Sequence, residues 1–530
     1  MITVFNWSFP YSSRRAPVLA RNVVATSQPL AAAAGLDILR RGGNAVDAAV
    51  ATAITLTVVE PCSNGVGSDA FAIVWDGERL TGLNASGRSP AAWTADRFAR
   101  YPAMPVTGWD SVTVPGAVSA WVALSRRFGA LPFGELFDAA IRYARDGFHV
   151  GHETAAIWAR AGETYADYPH FLAHFLPDGR APTPGDVFVN VDLAETLALI
   201  ADSDGEAFYR GVLAERMEDA ARDDGGVLRA QDLANHRIDW VDPIVQKYRD
   251  VELAEIPPNG QGLAAQIALA ILAHLDAREH APGSAEWTHL QVEAMKIAIR
   301  AAFDHFADPS AMHTPPEALL EPGSIRRAAD GVGRVAAPLP PAALPIGHDT
   351  VYLAAADADG RMVSMIQSNY MGFGSGVVIP GTGIAMQNRG AGFVLDPDHP
   401  NAVGPNKRPF HTIIPGFVTA KGAPLMSFGV MGGHMQHQGH VQMVTRIFDH
   451  GENPQAACDA PRWQVTSEYD VLLEPGYSLA TARELAQRGH AVEIAGSHRA
   501  FGGAQLIHAL PDGGYFAASD HRKEGAAVGF

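Results

Sequence analysis

The sequence predicts an α/β protein of two β-sheets flanked by helices, and three observations predict it. Residues Ala45 to Val59 (AVDAAVATAITLTVV) are apolar on almost every side. A helix of that composition has no face to offer water, so it belongs between layers. Two β-favouring runs, Val351 to Asp357 and Met362 to Gln367, meet around the turn residues Asp357-Ala358-Asp359-Gly360, a hairpin pattern suited to a central strand pair. From Trp93 to about Arg334 helical periodicity dominates, with a strand pair over Ile244 to Ile256 wedged among the helices.

In chain order, residues 1 to 25 read as an irregular arm leading to a short strand, Asn22 to Ala25. Pro29 to Arg41 reads as a helix, with Leu30, Ala34, Ile38 and Leu39 as its apolar stripe and Arg40-Arg41 at the dipole's negative end. Gly42-Gly43 end it, and Asn44 caps the next helix with Asp47 placed to complete a capping box. Pro61 stops that helix. The loop Cys62 to Asp69 (CSNGVGSD) follows a helix and lacks a lysine, so it is read as a turn rather than a phosphate cradle. Strands Ala70 to Asp76 and Arg79 to Ser86 follow.

The strong helices beyond are Ala117 to Phe128, Phe133 to Asp146, Leu193 to Ala201, Leu213 to Asp223, Gly262 to Leu275 and Trp287 to Ala307. A Pro/Ala-rich segment, Ala336 to Ile346, precedes the hairpin and is too rich in proline to pair as a central strand. After the hairpin come Val377 to Gln387, a polar loop from Asn388 to Arg408, strands Ile413 to Ala420 and Leu425 to Val430, and a helix from about Val441 to His450. The tail offers strands Val471 to Leu473 and Ala491 to Ile494, a helix Leu479 to Arg488, and a closing strand pair near Ala504 to Ala517.

Composition excludes several function classes. A net charge of −17 repels the phosphates of nucleic acid. Two cysteines, Cys62 and Cys458, supply neither a disulfide framework nor a thiolate zinc site. No charged and apolar leader opens the chain and no run of about 18 apolar residues appears, so a cytoplasmic protein without a membrane partner is expected. Homo-oligomer formation is left open.

Thr350 stands where the Pro/Ala-rich segment gives way to the hairpin, directly after Asp349. It reads either as a strand starter or as a nucleophile exposed by cleavage of the preceding bond. In the second case its freed α-amino group is the base for its own hydroxyl.

Five further stretches decide between these readings: GGNAVDAAVA at 42–51, GFGSGVVIPGTGIAMQN at 372–388, NAVGPNKRP at 401–409, GVMGGH at 429–434 and DAPRW at 459–463. In this order, with Thr350 upstream of the second, they resemble the γ-glutamyltranspeptidase family of N-terminal-nucleophile hydrolases. The resemblance implies a four-layer αββα sandwich made as one precursor. It implies cleavage between Asp349 and Thr350 into a large subunit (1–349) and a small one (350–530) that stay associated, and hydrolysis or transfer of an acyl group from a small-molecule amide without a cofactor.

By the same resemblance Thr350 is the nucleophile, Gly432 and Gly433 form the oxyanion hole, and Ser368 keeps the hydroxyl that contacts the nucleophile. His411 and Thr412 stand where the family has a serine pair that holds substrate. The family's asparagine position falls on Tyr370, with Asn369 adjacent. Its arginine position falls on Ser86, with Arg88 two residues on and on the same strand face. Arg389 is a second candidate cation. The acidic position that holds the substrate's amino group falls on Gly392, where no carboxylate exists. A cationic pocket without that acid favours acyl groups bearing a carboxylate but no ammonium, since burying an unpaired ammonium costs several kcal/mol. Glutaryl amides and oxamate therefore compete with γ-glutamyl compounds such as glutathione.

Two rival readings remain at this level. His434, His437 and His440, with His411 nearby in sequence, suggest a metal site, but Gly439 interrupts the spacing and no carboxylate partner is evident, so no metal is expected. A binding protein that kept the fold and lost catalysis is the other.

Overall fold

The computed structural model describes residues 14–338 and 349–530, and of Asp349 only the backbone. The arm before residue 14 and the Pro/Ala-rich segment from 339 to 348, with Gly347 and His348, lie outside the described residues.

Two seven-stranded sheets stack face to face. One has the order Ala526–Gly529, Val23–Thr26, Asp349–Ala356, Met362–Tyr370, Asp69–Trp75, Leu80–Asn84, Asp239–Val241. The other runs Val18–Ala20, Tyr515–Ser519, Gly503–Ala509, Ala423–Met431, Gly416–Ala420, Val251–Glu255, Ile244–Tyr248. Strand alternation divides the apolar residues between layers. Tyr352, Ala354 and Ala356 face the second sheet and pack with Phe417, Met431 and Ile507. Val351, Leu353 and Ala355 face outward onto helices, among them Ala45–Val59 and Ala117–Phe128. The second sheet is covered in turn by Gly262–Leu272, Ala285–His305 and Met435–His450, through Val418, Phe428 and Val430. The result is the expected αββα sandwich.

The Ala45–Val59 helix has every residue buried and starts with the predicted capping box: Asn44 accepts from Val46 and Asp47 amides while Asp47 takes the Asn44 N–H. The preceding helix ends at Gly42, whose φ of +93° only glycine adopts without strain. The hairpin is antiparallel and sits in the middle of its sheet. Because these strands from the small part pair on both sides with strands of the large part, a cut before Thr350 leaves two interlocked chains.

Several boundaries differ from expectation for packing reasons. The helix predicted from Val441 begins at Met435, because Gly439 lies against Val430 and permits close helix-on-sheet approach rather than breaking the helix. A Cβ there would come within 2.6 Å of the Val430 side chain. Phe133 to Asp146 divides into a 3-10 turn, Phe133–Phe137, and a helix, Asp138–Asp146. The strand expected to reach Ser86 stops at Asn84, so alternation no longer fixes where residues 86 to 88 point. Short edge strands Val18–Ala20, Asp239–Val241 and Ala526–Gly529 gave too few residues for a periodic signal.

Candidate active site

Thr350 is 1 % exposed and its Oγ1 lies 3.1 Å from the Oγ of Ser368, directly opposite on the hairpin. The pairing register slips here: Val351 faces Gln367 but Asp349 faces Tyr370, which puts one extra residue on the Ser368 strand. Such a bulge re-aims side chains next to a site. Tyr370 absorbs it with a φ of +80°, a conformation that is costly for a bulky residue, and its N–H donates to Ser368 Oγ over 2.8 Å.

The glycine pair reaches the same end of the sandwich on the facing sheet. Ser364 Oγ donates to the Phe428 carbonyl, and the Tyr352 ring rests where a Cβ on Gly429 would stand. Met362 and Pro424, early in the same two strands, line one pocket, so the strands run the same way, and Ser368 and Gly432 each lie four residues beyond those contacts, about 13 Å at roughly 3.3 Å per residue. Gly432 and Gly433 have φ of +118° and +59°. Their carbonyls accept from the amides of Met435 and Gln436, while their own N–H groups find no acceptor among the described residues.

A polar chain closes the ring. Gln261 Nε2 donates to both the Gly433 and Thr412 carbonyls, at 2.9 and 2.6 Å. Thr412 Oγ1 accepts from Arg389 Nη1 at 2.7 Å, and the Arg389 guanidinium lies 4.5 Å from the centre of the Tyr370 ring. Arg389 is 1 % exposed, yet its Nε and Nη2 have no hydrogen-bond partner among the described residues. Burial lowers its pKa to about 10, opposed by the attraction of Asp69. Two such donors on a buried cation suit an anion.

Asp69 is the group that the sequence reading missed. It sits on the strand opposite Ser368, fully buried. Its Oδ1 accepts the Gly87 and Gly116 amides and its Oδ2 lies 3.1 Å from His411 Nε2. Burial raises its pKa to about 7, against the pull of Arg389. His411 is driven well below its usual range by burial and by Arg389 and Arg408, so it is neutral. Its Nδ1 accepts from the Ile413 amide, which leaves the proton on Nε2 for Asp69. Nothing in CSNGVGSD marks this role, because only the strand register places Asp69 beside Ser368.

The other candidates are distributed less evenly. Asn369 shares the helix-facing side with Gln367, and its Oδ1 accepts from Ser68 Oγ, whereas Ser368 faces the second sheet. Arg88 lies 4.0 Å from Asp239, and no contact among the described residues joins it to Thr350, Ser368 or Arg389. Its expected alignment with Ser86 is lost because the Gly87 amide folds onto Asp69. Of the four histidines, His411 is held by Asp69, His440 by Glu255, His434 stacks on Phe410, and His437 is buried with neither ring nitrogen bonded among the described residues. Neither group of potential metal ligands among the described residues includes any of them.

A cleft of about 250 Å³ opens beside the bulge. Met371 and Gly372, next to Tyr370, line one side, and Gly502, packed against Gly432, lines another. No helix among the described residues is long and apolar enough to cross a membrane.

Comparison with known proteins agrees with this geometry. A family model described as gamma-glutamyltranspeptidase matches residues 31–530. The glutathione hydrolase-like YwrD proenzyme of Bacillus subtilis is 37% identical over 518 residues, covering 96% of this chain and 98% of that protein. The oxamate amidohydrolase proenzyme of Klebsiella pneumoniae is 36% identical over 521 residues, covering 94% and 97%. Among solved structures, the cephalosporin acylase of Bacillus halodurans has a TM-score of 0.96 at 46% identity, with 100% of this chain and 99% of that one covered. A buried threonine at the second position of a central strand, glycine amides at the same end of the facing sheet and whole-length similarity to these proteins place the chain in the gamma-glutamyltranspeptidase family.

Proposed function

We propose that the protein is a self-cleaving amidohydrolase that forms an acyl-threonine intermediate and prefers acyl groups carrying a free carboxylate. The observation that carries this reading is Arg389, a buried guanidinium with two donors unfilled, linked through Tyr370 to the Ser368 that touches Thr350.

In the precursor, Thr350 Oγ1 attacks the Asp349 carbonyl, and the bond to the Thr350 nitrogen breaks to leave an ester that water opens. The freed amine, with a pKa near about 8, then takes the Oγ1 proton as the hydroxyl attacks a substrate amide. Gly432 and Gly433 amides donate to the oxyanion, and the proton passes to the departing amine. Ser368 holds Oγ1 in line. Water then releases the acid. The sandwich keeps large (1–349) and small (350–530) subunits together after the cut, since their strands alternate within one sheet.

For the acyl group, Arg389 with Thr412 is the carboxylate site, Tyr370 is its floor, and His411 acts behind it through Asp69. Arg88 and Asn369 are assigned to the periphery. Both Asp69 oxygens are occupied by the protein, so Asp69, the acid that acts on Arg389 among the described residues, is not free to receive an ammonium. That favours monoamides of dicarboxylic acids, in keeping with relatives named oxamate amidohydrolase and cephalosporin acylase. The second reading, γ-glutamyl transfer or glutathione hydrolysis, is supported by relatives named for it. Two free, buried cysteines suit a reducing compartment such as the cytoplasm. Initial rates on matched glutaryl, oxamate and γ-glutamyl amides test the reading: a strong preference for γ-glutamyl overturns the substrate assignment.

A further inference from the structure

The reading that Arg389 receives the substrate carboxylate has a consequence at Asp69. We propose that carboxylate binding at Arg389 is coupled to uptake of one proton from the buffer by Asp69, which makes Asp69 a positioning residue for substrate. Asp69 Oδ2 meets His411 Nε2 at 3.1 Å, and the next residue, Thr412, accepts from Arg389 Nη1 at 2.7 Å, so Asp69 and the incoming carboxylate are two anions on either side of one buried cation. Neither Asp69 nor His411 has any solvent exposure, and Arg389 has 1 %.

Among the described residues the titratable groups facing Asp69 are few. Arg389 and Arg408 attract its charge, His411 donates to it as a neutral ring, and Tyr209 lies within its field. Arg408 is already paired with Asp239 and bonded to the Ser86 and Arg237 carbonyls, so it cannot turn to a second anion. His411 is kept neutral by the two arginines and by burial, so it cannot supply compensating charge. Among the described side chains nothing else is placed to balance a second carboxylate, and the Thr350 amine is separated from Asp69 by the test below. Like charges at close range in a buried site cannot both ionise, and the one with the less favourable surroundings takes a proton. Asp69 is that group, because burial already sets its pKa at about 7 before any ligand arrives. Protonated on Oδ2, it still accepts the Gly87 and Gly116 amides on Oδ1, while the His411 Nε2–H that faces Oδ2 gives up its bond. The backbone held by Oδ1 is therefore kept while Arg389 is released to its ligand.

The test is binding of glutarate, the acid product of a glutaryl amide, to the processed enzyme. Calorimetry at pH 8 in buffers of different ionisation enthalpy should show uptake approaching one proton, and affinity should weaken roughly tenfold per pH unit above Asp69's resting pKa. Asp69→Asn keeps the acceptor for both glycine amides and should abolish the uptake and flatten the pH dependence. Uptake that survives in Asp69→Asn belongs to the Thr350 amine and overturns the proposal. Should that variant fail to fold, infrared difference spectra of the wild type decide. A carboxylic-acid band that appears with glutarate and is unmoved by carbon-13 labelling of the ligand supports Asp69; its absence refutes it. Binding without proton uptake overturns this inference alone, whereas no binding of glutarate overturns the carboxylate reading beneath it.

Discussion

Replacing Arg389 with methionine separates a binding role from a structural one. Nη1 is bonded to Thr412, while Nε and Nη2 have no hydrogen-bond partner among the described residues. If each idle donor makes a charge-assisted bond to substrate worth about 1.5–3 kcal/mol, the pair contributes about 3–6 kcal/mol. That corresponds to a loss of about 10²- to 10⁴-fold in kcat/KM. Stability is a separate readout. A buried cation with unfilled donors is a cost, but removing it leaves Asp69 buried without its countercharge, which is destabilising while Asp69 is ionised. The balance depends on pH. Without its nearest cation Asp69 rises further above its resting value of about 7, so the folded state binds a proton that the unfolded state has lost. Its stability then falls as pH rises through that window, and the melting temperature of Arg389→Met relative to wild type should be higher at pH 6 than at pH 8. The assay is hydrolysis of glutaryl anilide against butyryl anilide, a substrate of similar length lacking the carboxylate. Equal loss on both, or a loss under about fivefold on the glutaryl compound, would refute the assignment.

Other expectations follow from the same geometry. Wild-type protein should appear on denaturing gels as fragments 1–349 and 350–530, and Thr350→Ala should remain a single chain; fragments from the variant would place the cut elsewhere. Ser368→Ala removes both the Thr350 contact and the acceptor for the Tyr370 amide, so processing and turnover should slow about 10- to 100-fold, with recovery in Ser368→Thr. Gly433→Ala forces a side chain onto a φ of +59° and should lower kcat by about 10²-fold or more, with KM little changed if its amide serves the oxyanion. Glu60 is buried against Ser27 and Ser63, and burial raises its pKa to about 6. The folded state therefore holds its proton longer than the unfolded one, and stability falls as pH rises from about 4 to 6. Between pH 5 and pH 8 Glu60→Gln should remove about 1 kcal/mol of that loss, read from chemical denaturation at the two pH values.

Much of the architecture was legible because it rests on local chemistry. The capping box at Asn44, the glycine stop at Gly42 and the turn at Asp357 to Gly360 each fix a boundary within a few residues. The hairpin that starts at Thr350 was legible for the same reason. Less legible was anything decided by what packs against it, such as the early start of the helix at Met435, which depends on Val430 across the layer.

What the chain determines alone is therefore the hydroxyl, its place at the head of a strand pair, and the glycines that can turn backbone amides toward it. Only the tertiary structure decided which charges meet there. Arg389, His411, Thr412 and Asp69 come from three separate stretches of sequence, and a strand register together with one bulge bring them into a single buried network. Local propensity has no knowledge of register. A carboxylate 281 residues before Thr350 becomes the cross-strand partner of Ser368 only when the sheet is assembled, and the same assembly sets Arg88 4.0 Å from Asp239.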